Sequence, residues 1–284
     1  MYLPLTGKQP LLRTEMRTTD ADAEHLVIDA SRLKFASPLE LAGTAALTHA
    51  YAATNTLITL RLPESDEVTS YAQRMNLFEL VSAETKIVGR MPFETRNDRS
   101  TKLLEVTLLS SATQDPVIEH LRGVAHAHLS APHGDRILTG IAELVENAVT
   151  HGRSDAGAFI AAQVYTGRTT RQARFEVAVC DTGIGVLEHL RQNRSSDPAL
   201  LAGCADGLRR ALKRGVTGTN EVRGHGLTDL FARTGELGTA RVVLRSGNGL
   251  ARVARRGPTR RMLRRTTECS VPGTWAWARV TFPS

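Results

Sequence analysis

The stretch ELVENAVTHG, residues 143–152, decides how the chain is read. Its spacing predicts a helix from about Arg136 to His151 that stops on Gly152. At about 100° per residue, Glu143, Glu146, Asn147, Thr150 and His151 fall on one arc. Ile141, Leu144, Val145, Ala148 and Val149 fall on the opposite arc. An amphipathic helix with a solvated face and a glycine stop accounts for that much. It does not account for three further clusters that follow downstream.

The first is CDTGIGV, Cys180 to Val186, at the end of a predicted strand. A carboxylate fixed there, at Asp181, can accept a hydrogen bond from an exocyclic amine. Gly183 and Gly185 let a ligand ring approach the backbone, although a tight turn uses the same residue types. The second is RGHGL, Arg223 to Leu227, where Gly224 and Gly226 open a predicted helix beside Arg223. Free N–H groups at a helix start suit phosphate. The third is PGTW, Pro272 to Trp275, where the Thr274 hydroxyl stands before the last predicted strand.

Taken in order, these four clusters resemble the GHKL ATPase superfamily. That group includes gyrase B, the heat-shock chaperone ATPase, histidine kinases and mismatch-repair ATPases. ELVENAVTHG is most similar to the anti-sigma-factor serine kinases. The resemblance covers roughly residues 114–284 and implies a Bergerat-type α/β sandwich with a mixed sheet. It implies that Asn147 ligands a Mg²⁺ bridging the phosphates of ATP, an oxygen ligand for a hard cation. Glu143 becomes the general base. Asp181 accepts from the adenine amine, Gly183 and Gly185 border the base, and Thr274 stands near adenine. Arg223, Gly224 and Gly226 meet the phosphates, and residues 187–223 form a lid.

Upstream, periodicity predicts a small α/β domain. Strands are expected at 25–29, 56–63 and 103–110, helices at 37–53 and 67–80, and a loop at 91–101. HLVIDASRLKFASPLELAG, residues 25–43, resembles a STAS domain, the anti-sigma-factor antagonist module. The serine phosphorylated in that family aligns near Pro38, which has no hydroxyl, so the reading is a degenerate docking or dimerising module. The fold class is therefore α/β (α+β), with a STAS-like domain at 1–111 and an ATP-binding domain at 112–284. Downstream, the pattern predicts a helix at 114–129, a turn at SAPHGD and strands at 158–165 and 174–181. A helix follows at 226–235, then a hairpin at 241–253 turning on Gly247-Asn248-Gly249, and a last strand at 275–282.

Composition sets the bounds. The 284 residues are 41% hydrophobic, enough for cores and too apolar for a disordered chain. No apolar run reaches the roughly 18 residues of a membrane span, and the N-terminus carries no apolar signal region. Three cysteines, Cys180, Cys204 and Cys269, are too sparse for a disulfide framework, which predicts a reducing, cytoplasmic setting. Nine arginines and no acid lie between Arg241 and Arg265. Removing those nine from the net +7 leaves the rest of the chain at −2. The run lacks interleaved aromatics, so a protein-docking or solvated surface is favoured over nucleic acid. His126, His128 and His133 read as capping or solvent-facing residues rather than a metal set.

The first functional reading is a Mg-ATP-binding regulator that transfers phosphate to a partner's serine, or holds that partner in a nucleotide-dependent way. The partner would be a sigma factor or a separate STAS protein. The alternatives are an autonomous ATPase switch that closes its lid and dimerises, and a module that binds nucleotide without turnover. A histidine kinase ranks lower, because no second long helix precedes the 114–129 helix.

Overall fold

Residues 38–52, PLELAGTAALTHAYA, are small or aliphatic on every side, and a helix of that kind has no solvent face to present. In the computed structural model they form α1 (Pro38–Ala52), and every residue from Pro38 to Thr48 is buried. The structure describes residues 1–12, 24–93, 101–129, 131–151, 156–166, 173–193, 203–212, 239–256 and 259–282.

One side of α1 covers a parallel sheet. Its strands are β1 (Tyr2–Pro4), β3 (His25–Asp29), β5 (Leu57–Arg61) and β6 (Thr85–Val88), in the order β1-β3-β5-β6. Leu26, Ile28, Ile58 and Leu60 alternate inward toward the helix. Two short strands, β2 (Gly7–Lys8) and β4 (Leu33–Phe35), pair beside it. The expected helix at 67–80 is two pieces, α2 (Asp66–Arg74) and α3 (Leu77–Leu80). They separate at Asn76, whose φ of 57° is left-handed and cannot continue a helix.

The other side of α1 covers a five-stranded sheet in the order β10-β11-β9-β8-β7. These strands are β7 (Leu103–Leu109), β8 (Ala158–Tyr165), β9 (Ala173–Asp181), β10 (Thr239–Arg256) and β11 (Thr259–Phe282). A Cβ on Gly43 would lie 2.9 Å from the Trp275 ring, so the glycine lets helix and sheet close up. The His49 and Phe159 rings meet at 4.9 Å between centroids. On the opposite face, α4 (Gln114–His126) and α5 (Ala131–His151) pack Leu121, Val124, Ile141 and Val145 against Ile160, Phe175 and Val177. The protein is thus a mixed α/β structure with a parallel and an antiparallel sheet.

Several expectations are corrected. All four pairings of the second sheet are antiparallel, where a mixed sheet was expected, and the parallel pairings belong to the first sheet. Strand β7 pairs with β8, so the second sheet begins before the boundary expected near 111. At the register shift in β7, the Val106 N–H turns out and donates to the Met75 carbonyl at 2.9 Å, tying the halves together. Helix α5 begins at Ala131, taking in residues read as a turn, and α4 ends at His126. The hairpin does not turn at Gly247-Asn248-Gly249, because β10 runs through them to Arg256. Those glycines serve α7 (Cys204–Ala211) instead. A Cβ on Gly249 would lie 2.6 Å from the Cys204 carbonyl carbon, and one on Gly247 2.7 Å from Cys204 Sγ.

Strand β9 alternates, and both of its faces are buried. Glu176, Ala178 and Cys180 lie under the first half at 0%, 1% and 0% exposure. Glu176 accepts from Arg174 Nε at 2.7 Å, Arg279 Nε at 2.9 Å, Trp277 Nε1 at 3.3 Å and Gln9 Nε2 at 3.4 Å. A buried carboxylate with two guanidinium partners tolerates its desolvation, and removing it strands two arginines. Tyr71 of α2 adds a second polar tie by donating to Gln163 of β8.

At the N-terminus of α1, Glu40 accepts from Ser37 N at 2.9 Å, Leu11 N at 3.0 Å and the Ser37 hydroxyl. Burial pushes its carboxyl up to about 7. Ser37 is itself 0% exposed, so a kinase has no access to its hydroxyl in this fold. Among the described residues no helix is long and apolar enough to cross a membrane.

Glu176→Ala is expected to lower the unfolding free energy by about 3 kcal/mol in urea titrations, the cost of breaking a buried ion pair from one side. A loss below about 1 kcal/mol, the size of a surface pair, would mean the network does not hold the halves together.

Candidate functional site

The site is organised by the end of β9. Hydrophobic residues carry the strand between two packed layers, and Asp181 comes last, still only 6% exposed. Its side chain follows Val177 and Val179, so it points to the face covered by α4 and α5. Asp181 Oδ1 accepts the Gly183 N–H at 2.9 Å and the Thr274 N–H at 3.1 Å. Neither bond uses Oδ2.

Burial is the main influence on this carboxyl and pushes it up to about 6, while the two backbone N–H groups pull the other way. A group of this kind changes charge just below neutrality, and such groups concentrate at functional sites.

The contact between residues 181 and 274 depends on Gly273. Its φ is +61°, and a Cβ there would lie 2.2 Å from the Asp181 carbonyl oxygen and 2.3 Å from Oδ1. Ser246 of β10 completes the cradle. Its hydroxyl donates to the Gly273 carbonyl at 3.0 Å and accepts the Val186 N–H at 2.8 Å. It also lies 3.4 Å from the Thr274 hydroxyl. Ser246 carries no signal in the sequence, where it is a lone serine before the turn expected at Gly247-Asn248-Gly249.

Helix α6 (Gly185–Asn193) begins on Gly185, whose φ is +76°, and a Cβ there would lie 2.7 Å from Ser246 Oγ. The structure therefore brings Asp181, Gly183, Gly185 and Thr274 into one cradle. Glu143 and Asn147 lie one turn apart on α5, which packs on β9. Glu143 is half-buried and Asn147, like Glu146 and Thr150, is exposed. The opposite arc of α5 is in the core, with Ile141 at 0% and Val145 at 1%. Arg223, Gly224 and Gly226, and the helix expected at 226–235, lie outside the described residues.

Part of the expected lid is a packed layer. Leu208 and Leu212, in and just beyond α7, join the core with Leu244, Ala251 and Val253 of β10.

Among the described residues no three His, Cys, Asp or Glu side chains gather as a metal set. His126 bonds Asp135 at 2.9 Å, and His120 and His128 bond the Leu103 and Thr101 carbonyls at 3.0 Å each, which are structural ties. A Mg²⁺ held by one protein oxygen, phosphates and water needs no such set. The exposed Asn147 amide fits that minimal donor role. No protein-family model matches the chain, and no curated protein matches it.

Gly273→Ala combines a strained φ with overlap on Asp181, so it is expected to destabilise the fold by about 2 kcal/mol or more. Thermal unfolding beside a control Gly123→Ala, where a Cβ meets nothing within 4 Å, measures this. Equal melting temperatures for the two variants would contradict the close approach.

Proposed function

We propose that the chain binds Mg-ATP between α5 and the β9 end and acts as a regulator related to the anti-sigma-factor serine kinases. The reading is carried by the Asp181 cradle. Two sequence clusters 93 residues apart meet on one carboxylate oxygen, and neither bond uses the other oxygen.

In this reading Asp181 Oδ2 accepts from the adenine amine, and Gly183 and Gly185 leave room for the ring beside the backbone. Thr274 offers its hydroxyl to the base edge. Asn147 supplies an oxygen to Mg²⁺. Mg-ATP, when bound, supplies a terminal phosphoryl group. Glu143, one turn before Asn147, orients the attacking hydroxyl and accepts its proton. Arg223, Gly224 and Gly226 remain the proposed phosphate contacts. The acceptor in the first reading is a serine of a partner protein, a sigma factor or a STAS protein. The alternatives put water in its place or stop at binding. A Bergerat-type architecture for the second half and a STAS-like one for the first belong to the same proposal. They are supported by helices on the site face of the second sheet and by a parallel sheet with α1 on one face.

Isothermal titration with Mg-ATP tests the site. The wild type is expected to bind at pH 7.5, and Asp181→Asn to bind at least about tenfold more weakly, the loss of one hydrogen bond to a charged group. Asp181 is ionised above about 6 and protonated below it. Affinity should therefore fall about tenfold between pH 7.5 and 5 in the wild type, and less in Asp181→Asn. No binding at millimolar ATP, or equal binding by the two proteins, would overturn the proposal. Inorganic phosphate release that disappears in Glu143→Ala would favour the ATPase alternative over transfer to a serine.

A further inference from the structure

The far half of the β10–β11 hairpin extends past the nucleotide cradle and past the pairing with β9. Strand β9 pairs with β11 only from Trp275 to Phe282. Upstream, Thr259–Thr266 pair on one edge with Gly249–Arg256, and no described strand pairs with the other edge. All eight residues of Thr259–Thr266 are exposed.

Their partner strand is firmly mounted. Leu250, Ala251 and Val253 are buried at 0%, 1% and 2%. Asp206 of α7 holds Arg264 at 2.9 Å, and Arg252 donates to the Leu12 carbonyl from the other side. The result is an open strand edge on a rigid base. Such an edge presents a row of backbone N–H and C=O groups that templates another strand.

The side chains on that edge say what kind of strand fits. Arg260, Arg261, Arg264 and Arg265 are all exposed, and Met262 and Leu263, at 40% and 55%, put one apolar group on each face. Arg252 lies close enough to Arg265 to be held below the usual guanidinium range, burial being the larger cause. The segment 241–265 contains no acid of its own.

We propose that Thr259–Thr266 is a docking edge for an extended acidic segment of a partner protein, which adds to β11 as a further strand. Backbone bonds supply the ladder, the arginines pair with alternating carboxylates, and Met262 and Leu263 take apolar side chains. Nucleic acid fits less well. A β-ribbon that reads a groove presents a face of both strands, whereas here β10 is covered by α7 and by the first half. A phosphate backbone also makes no use of an open peptide ladder. This edge is independent of the nucleotide site, so each can fail alone.

The test uses the full chain and a fluorescein-labelled, end-capped peptide of alternating glutamate and valine, followed by fluorescence anisotropy. Comparison probes are the lysine–valine peptide, glutamate–valine peptides N-methylated at alternate amides in both registers, and a fluorescein-labelled DNA duplex. The acidic peptide is expected to bind, and the lysine peptide not to. At least one N-methylated peptide should lose about tenfold, the scale of a few backbone bonds. The combined variant R261E/R265E should lose binding while Mg-ATP titration and melting temperature stay unchanged. R261Q/R265Q serves in its place if the reversal does not fold. No binding of the acidic peptide, indifference to N-methylation in both registers, or tighter binding of the duplex would each overturn the proposal.

Discussion

Helix α1 has no solvent face, and both sheets depend on that. One side closes the parallel sheet of the first half, and the other covers the back of the five-stranded sheet. Either sheet alone would expose a broad apolar surface, of the kind that marks an interface or an aggregation site. Gly43 against Trp275 sets how closely the layers approach. Glu176, Gln9, Arg174 and Arg279 then fix their register with charge-assisted bonds, which depend on geometry more than apolar contacts do.

This arrangement assigns work to the two faces of β9. The back face carries Ala178 and Cys180 under α1, and the front face carries Val177 and Val179 under α4 and α5. Asp181 emerges at the front, where the strand leaves the core. Burial makes its charge costly, and two backbone donors and a glycine cradle hold it there nonetheless. A costly carboxylate retained under such constraint is a natural place to look for function. The first half then stands opposite the site rather than over it, and β9, β10 and β11 each touch both.

Elements with strong local periodicity were legible in the sequence. HLVID and AFIAAQVY lie where their apolar patterning placed them, and on α5 Ile141, Leu144, Val145 and Ala148 are buried while Glu146, Asn147 and Thr150 are exposed. Asp181, Gly183, Gly185 and Thr274 each sit beside a strand end or turn signal, but local patterning does not group them, and their grouping comes from the resemblance alone. What local patterning cannot carry is which surfaces meet. Glu176 reads as a solvated residue in an alternating strand, and only α1 packing on that face buries it. Gly247 and Gly249 read as a turn, although their role is to let α7 approach a strand that continues. Strand β7 looks local to the first half because its pairing with β8 spans 49 to 60 residues, from Leu109↔Ala158 to Leu103↔Gln163.

In the proposed site adenine sits beside Asp181 and Thr274 on the front face. Photolabelling with 8-azido-ATP in the presence of Mg²⁺, followed by peptide mapping, tests that location directly. Label is expected on peptides containing Asp181–Val186 or Val271–Trp275, suppressed by excess ATP. Label confined to the arginine-rich edge at 259–266, or label that ATP does not displace, would contradict it.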